Sequence, residues 1–282
     1  MIQAVKLTKM NGLGNDFLIY DELTSQKELT FSRELIVSLC SRENKKTNGC
    51  DQFIIIKKPK TNEDGFMEIF NSDGSEVYAC GNATRCVGLI LADYLKKSEV
   101  IIKTKADLLK AKKINAKEIE VNMGTPKFSW EKIPLSKNLD TIQLPIELEG
   151  FGVMPSAVSM GNPHMVFFLQ DDVSNINIEK LGAPLEVHEL FPEKANVNFA
   201  NIIDRKHIKL RTFERGAGVT LACGTGACAT AVSAIRKNLT ERNVTVEMPG
   251  GILNINWDKS TDNVLMTGAV EYEKTIELFR YN

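Results

Sequence analysis

Histidine is scarce in this chain of 282 residues: His164, His188 and His207 are the only three, and none pairs with another at metal-ligand spacing. The six cysteines contain no Cys-x-x-Cys pair; the nearest neighbours, Cys80/Cys86 and Cys223/Cys228, are too far apart in the chain for a zinc or redox loop of that kind. No metal site is expected. Charge of one sign is lacking too, with 35 Lys and Arg against 36 Asp and Glu and a net charge of -1. That balance gives no support for nucleic acid or a membrane surface as partner. Short basic runs such as Lys110-Ala111-Lys112-Lys113 carry no interleaved aromatics and read as solvated hairpin surface. The opening Met1-Ile2-Gln3-Ala4-Val5-Lys6 has no apolar core of signal-peptide length, and no apolar run approaches the ~20 residues of a membrane span. A cytoplasmic location follows as the expectation, with reduced thiols in place of a disulfide framework.

What the chain does have is the composition of a soluble globular protein, 43% hydrophobic and 25% charged, and length for two domains at ~150 residues each. It also repeats itself. Ile69-Phe70-Asn71 leads through a Gly-containing turn to Ala79-Cys80-Gly81, and Thr212-Phe213-Glu214 leads in the same way to Ala222-Cys223-Gly224. Asn71 stands nine positions before Cys80, as Glu214 stands nine before Cys223.

The match extends outward from these anchors. Each Ala-Cys-Gly opens an apolar stretch, Val87-Gly88-Leu89-Ile90-Leu91-Ala92 or Ala229-Thr230-Ala231-Val232-Ser233-Ala234-Ile235, with no polar face over its central turns. Both read as helices buried on most sides, closed by Lys96-Lys97 and Arg236-Lys237. Strand-like runs follow at Val100-Ile101-Ile102 and Val244-Thr245-Val246, then strands ending in Gly124 and Gly268. Upstream, Gly14-Asn15 with Phe17-Leu18-Ile19-Tyr20 mirrors Gly161-Asn162 with Met165-Val166-Phe167-Phe168. The reading is of two pseudo-symmetric halves, each a β-rich sheet wrapped on one buried helix. The first half takes residues 1–124 plus 270–282 and carries Cys80; the second takes residues 125–269 and carries Cys223.

Each of these cysteines stands where a loop turns into a helix. Backbone N–H groups and the dipole at such a start stabilise a thiolate, lowering a cysteine pKa below ~8.5, and can also hold a carboxylate. Two similar thiols from two similar halves suit the inversion of a stereocentre, in which a base works on one face of a carbon and an acid on the other. Cys40, Cys50, Cys86 and Cys228 read instead as small buried hydrophobes.

Gly12-Leu13-Gly14-Asn15-Asp16-Phe17, Asn71-Ser72-Asp73-Gly74-Ser75-Glu76, Cys80-Gly81-Asn82, Gly161-Asn162-Pro163-His164, and Glu214-Arg215-Gly216 with Ala222-Cys223-Gly224-Thr225-Gly226-Ala227-Cys228 closely resemble the diaminopimelate epimerases, in order and spacing, from about residue 7 to about residue 270. The resemblance implies an α/β (α+β) fold of two halves, each a β-barrel-like sheet around a central helix, with the active site in the cleft between them. It implies interconversion of LL- and meso-diaminopimelate on the bacterial lysine and peptidoglycan pathway, with no pyridoxal phosphate, no other cofactor and no metal, and it makes a homodimer the expected assembly. On the resemblance, Cys80 and Cys223 are the acid/base pair, and His164 and Glu214 lie near the reacting ammonium and the cysteines. Gly81, Asn82, Gly224 and Thr225 grip the reacting α-carboxylate. Asn15, Gln52, Asn71, Asn162, Asn196 and Arg215 read the substrate, and a guanidinium at Arg215 suits a distal carboxylate in a way a lysine does not.

The chain departs from the family pattern at Ala83, where Gly is frequent, at Val219, where Glu is frequent, and at Asn11, where His is frequent. None of these is a proposed proton-transfer group. Competing readings are proline racemase or hydroxyproline epimerase of the same fold, whose substrates have no second carboxylate for Arg215; a non-enzymatic thiol redox sensor, which leaves the polar shell around the cysteines unexplained; and a binding protein, which leaves the duplicated cysteines without a purpose. Isomerases of the phenazine-biosynthesis type share the fold but lack the cysteine pair.

Overall fold

Phe17-Leu18-Ile19-Tyr20, Phe53-Ile54-Ile55-Ile56 and Met165-Val166-Phe167 are buried at every position, the mark of strands covered on both faces. These runs form the middle of the sheets in a computed structural model that describes residues 3–78 and 80–280. Ala79 of the first Ala-Cys-Gly repeat, and the first two and last two residues, lie outside the described residues.

In chain order the elements are β1 (Gln3–Gly12), β2 (Asn15–Asp21), the single turn α1 (Glu22–Ser25), α2 (Arg33–Cys40), β3 (Gln52–Lys57), β4 (Gly65–Asn71), the short β5 (Glu76–Val77), α3 (Gly81–Leu95), β6 (Glu99–Lys103), β7 (Leu108–Lys113) and β8 (Glu118–Asn122). Then come β9 (Ser156–Ser159), β10 (Pro163–Phe168), α4 (Ile178–Glu186), β11 (Asn196–Asp204), β12 (His207–Glu214), β13 (Gly218–Thr220), α5 (Gly224–Arg236), β14 (Asn243–Met248), β15 (Gly251–Trp257), β16 (Val264–Ala269) and β17 (Glu271–Arg280). The chain divides into two compact units, Met1–Val121 with Gly268–Asn282, and Asn122–Thr267.

Both units follow one connection scheme. In the first, β1 and β2 are antiparallel, β2 and β3 parallel, β3 and β4 antiparallel, β4 and β6 parallel, and β6 and β7 antiparallel, with β5 added to β4. In the second, β9, β10, β11, β12, β14 and β15 repeat that alternation, with β13 added to β12. Each parallel step needs a crossover, and helices supply it. Helix α3 carries the chain from β4 to β6, and α5 carries it from β12 to β14. The first unit gains one further strand, because β17 runs antiparallel along β1 from Gln3↔Arg280 to Asn11↔Glu271.

The central helices are buried for a compositional reason. From Ala227 to Ala234 every residue of α5 is buried, and most are small enough to let strands approach. The helix packs against β9, β10, β11, β12, β14 and β15, so the second sheet curls round it. In the first unit α3 packs against β6 and β7 on one side and β1 on another. Gly88 of α3 is as close to β7 as a helix can come, since a Cβ there would lie 2.8 Å from that of Ala111. Lys96 caps α3 in the left-handed conformation (φ 58°), just beyond its last residue, Leu95.

Irregular chain over residues 125–155 contributes Ile133, Leu135, Leu144, Ile146 and Leu148 to the second unit's core, together with the stacked rings of Phe167 and Phe199. Among the described residues no helix is long and apolar enough to cross a membrane.

Candidate active site

Cys80 and Cys223 are the N-cap residues of α3 and α5. Both have the extended backbone of that position (φ -153°, ψ 110° and φ -123°, ψ 110°). The Cys80 sulfur accepts from Ala83 N at 3.5 Å and the Cys223 sulfur from Gly226 N at 3.3 Å, so sulfur fills the role that a hydroxyl or carboxylate oxygen usually takes. Neither helix has an acidic residue in its first turn. The remaining N–H groups of Gly81, Asn82, Gly224 and Thr225 and the positive end of each dipole therefore remain to receive an anion.

The shell of Cys80 is built by a hairpin. Leu13 (φ 62°) and Gly14 (φ 84°) form the two-residue turn between β1 and β2, the primed geometry that matches strand twist. Asn11, one of the departures from the family pattern, accepts from Gly14 N at 2.9 Å and so helps to build this turn. Asn15 follows at once, and its Oδ1 accepts from Asn82 Nδ2 at 2.7 Å. Its Nδ2 donates to Asp51 Oδ2 at 3.1 Å, which also receives Asp16 N at 3.0 Å. Asp16 in turn holds Arg42 through both carboxylate oxygens (2.6 and 2.8 Å) and lies 3.1 Å from Lys9 Nζ; despite burial these partners keep its carboxyl below the usual range.

Register brings the next pair together. Gln52 of β3 faces Asn71 of β4, and Gln52 Nε2 donates to Asn71 Oδ1 at 3.1 Å. Two acceptors in this unit, Gln52 Oε1 and Asn82 Oδ1, are buried with no hydrogen-bond partner among the described residues. Buried acceptors are normally satisfied, so these two mark places for ligand donors, Asn82 in the first turn behind Cys80.

The second unit repeats the plan with different residues. Gly161 (φ 92°) precedes Asn162, whose Nδ2 donates to Thr225 Oγ1 at 3.4 Å, as Asn15 meets Asn82. His164 is wholly buried; its Nε2 lies 2.9 Å from Asn162 Oδ1 and its Nδ1 lies 3.2 Å from Asn198 Nδ2. Asn198 Nδ2 also donates to Met165 O, and its Oδ1 accepts from Thr212 Oγ1, which fixes that amide's orientation. His164 thus carries its proton on Nε2 and donates it to Asn162. Burial, with the Arg215 charge adding, pulls its pKa down to about 3, so the ring is neutral. Both of its nitrogens are engaged within the protein.

Asn196 donates to Pro163 O at 3.0 Å and accepts from Arg215 N at 3.0 Å, fixing the backbone on which the exposed Arg215 side chain stands. Arg215 Nη1 rests on Glu193 O at 3.0 Å. Glu214 accepts from Thr220 Oγ1 at 2.6 Å and is hydrogen-bonded to Cys223; burial raises its pKa, and these two bonds oppose the rise. Val219, the second departure, is an exposed side chain on β13, and Ala83, the third, is buried while its N–H serves Cys80.

The lowered pKa expected of a cysteine at each helix start needs a correction at Cys223. Burial, and then the negative charge of Glu214, push this thiol well above its ordinary pKa, outweighing the N–H of Gly226 and the hydroxyl of Thr225. The balance favours the protonated form of Cys223. The dipole argument is local, whereas the burial comes from the whole second sheet.

Three residues of the arrangement escaped sequence reasoning. Asp51 has no motif around it. Asn198 lies two positions from Asn196 and therefore on the same face of β11, a signal that strand periodicity carries. Gly226 must lack a side chain, since a Cβ would sit 2.7 Å from Asn198 Oδ1 and 3.2 Å from Cys223 Sγ. Among the described residues no group of three or more His, Cys, Asp or Glu is placed to hold a metal ion.

Solved structures with low sequence identity share this fold. A phenazine biosynthesis protein of the PhzF family from Bacillus anthracis matches with a TM-score of 0.66 at 15% identity, covering 98% of this chain and 99% of that one. A hydroxyproline epimerase from Agrobacterium vitis matches with a TM-score of 0.62 at 13% identity, covering 98% and 92%. The architecture is thus the mixed α and β fold of these proteins, two sheet-and-helix units with one connection scheme. The sequence is more specific than the fold. The family model for diaminopimelate epimerase matches residues 7–129 and 156–273, and the diaminopimelate epimerase of Caulobacter sp. (strain K31) is 43% identical over 274 residues, 94% of each chain. This chain belongs to the diaminopimelate epimerase family, and it is an isomerase; neither a redox sensor nor a proline racemase is favoured.

Proposed function

We propose that this chain interconverts LL- and meso-diaminopimelate without a cofactor, with Cys80 and Cys223 as the base and acid on opposite faces of one α-carbon, in the cytoplasmic supply of lysine and peptidoglycan precursors. The observation that carries the reading is the duplicated capping: in two units of one topology, the residue that starts the buried helix is a cysteine whose sulfur takes a backbone N–H.

The substrate α-carboxylate receives the N–H groups of Gly81, Asn82, Gly224 and Thr225. They stabilise the charge that develops there as the α-proton leaves, the hardest part of the reaction without an electron sink. The Cys80 thiolate takes the α-proton on one face and becomes a thiol. The Cys223 thiol, kept protonated by burial and Glu214, gives its proton to the other face and becomes a thiolate. The reverse reaction exchanges the two roles.

Buried Gln52 Oε1 and Asn82 Oδ1 accept from substrate ammonium groups. Arg215 pairs with the distal carboxylate, the group that a proline would lack. His164, with both nitrogens engaged, positions Asn162 and through it Thr225.

The test is proton exchange. In deuterated water, LL-diaminopimelate should acquire deuterium at one α-carbon with meso product, and Cys80→Ala and Cys223→Ala should each lose turnover by orders of magnitude while keeping the fold. Neither exchange nor meso product in the intact enzyme would overturn the activity. Near-normal turnover in either variant would overturn the two-thiol mechanism.

A further inference from the structure

Cys40 and Cys50, which read in the sequence as packing residues, are neighbours. Cys50 Sγ donates to Cys40 Sγ at 3.3 Å, and Cys50 N donates to Cys40 O at 3.0 Å. The loop between them is fastened on both sides. Gly49 (φ 64°) crosses so close to Cys40 that a Cβ would lie 2.6 Å from its carbonyl oxygen. Thr47 Oγ1 donates to Leu39 O at 2.7 Å, and Lys9 Nζ donates to Gly49 O at 2.8 Å. The two thiols are held against each other by backbone geometry, independently of any proton they share.

Both are buried, at 2% and 1% exposure, yet both border a recess. A half-open recess of about 370 Å³ is lined by Cys40, Cys50, Arg42, Asp51 and Ser72. Arg42, whose side chain is 56% exposed, stands at its rim with its guanidinium paired to Asp16 and Asp51. A buried pair of sulfurs used for packing alone has no need of such an opening.

We propose that Cys40 and Cys50 form a thiol–disulfide exchange site that takes low-molecular-weight disulfides. Cys40, which receives the hydrogen bond from Cys50 while the charge of Arg42 is opposed by Asp16 and Asp51, attacks the disulfide as a thiolate. Its S–S bond to one half of the reagent forms as the other half leaves as a thiolate. Cys50 then loses its proton and attacks the Cys40 sulfur, expelling the second half. The sum is two protein thiols and one disulfide converted to one protein disulfide and two small thiols; the protein is oxidised by two electrons and the reagent reduced by two. Closing the bond requires the sulfurs to approach by about 1.3 Å, to the ~2.05 Å of a disulfide. Asp51, which follows Cys50 directly and holds Asn15, sits beside the change.

The experiment uses the intact protein and glutathione disulfide. After incubation the protein is unfolded in an alkylating agent, digested and mapped by mass spectrometry. A linked Cys40–Cys50 peptide two hydrogens lighter than the dithiol, restored by dithiothreitol, is the expected product. Recovery of both residues as alkylated thiols at the highest reagent excess, or their linkage to other cysteines, overturns the proposal. In Cys50→Ala the second step is blocked, so glutathione should remain on Cys40, rising from near none to near one per chain. A Cys40 without adduct in that variant overturns the assigned order of attack. These readouts are peptide masses and do not depend on the epimerase reaction.

Discussion

Glu214 shares a hydrogen bond with Cys223, and its carboxylate faces a thiol that burial has already made reluctant to ionise. Charge and desolvation act here in the same direction, holding a proton on the sulfur. Replacing Glu214 by Gln removes the charge and leaves the burial. The Cys223 pKa should fall, so the alkaline limb of the kcat/KM profile, where the acid form of this thiol is lost, should move to lower pH. A limb that stays in place or moves up would show that another group sets it.

Gly226 tests the packing of the same sulfur. Alanine is ordinarily the better helix residue by ~1 kcal/mol. At this position its methyl would meet Asn198 Oδ1 and Cys223 Sγ. Overpacking of that kind costs about 1–3 kcal/mol, so Gly226→Ala should be less stable in urea unfolding and should lower kcat by displacing the sulfur. Unchanged kcat with equal or greater stability would contradict the contact.

His164 predicts a stability profile. Its folded pKa of about 3 lies below the ~6.5 of an unfolded histidine, so between these values the unfolded chain binds a proton that the native protein does not. Its contribution is present above pH ~6.5 and is lost as pH falls toward 3, at up to about 1.4 kcal/mol per pH unit. Unfolding free energies of the intact protein and of His164→Gln, measured between pH 4 and 6, should differ in slope by about one proton. Equal slopes would mean that the native ring takes up its proton as readily as the unfolded one.

Much of the arrangement is legible in the sequence. Ala-Cys-Gly before a polar-free helical stretch, occurring twice behind Phe-Asn and Phe-Glu at equal spacing, located both caps, because a cap depends only on residues within one turn. Gly14-Asn15 and Gly161-Asn162 were legible for the same local reason. Asn198, in contrast, shows no more than the face it shares with Asn196 until β10 and β11 pair and set it against His164, 34 positions away. Asp51 gains its role only when β2 and β3 align.

The sequence by itself determined the duplication, the helix starts and the two cysteines that cap them, since these follow from short-range periodicity and turn chemistry. Tertiary structure alone decided the protonation of Cys223 and His164, the partnership of Cys40 with Cys50, and the bare Cα required of Gly226. Burial, register and close approach depend on segments far apart in the chain, and no local pattern contains them.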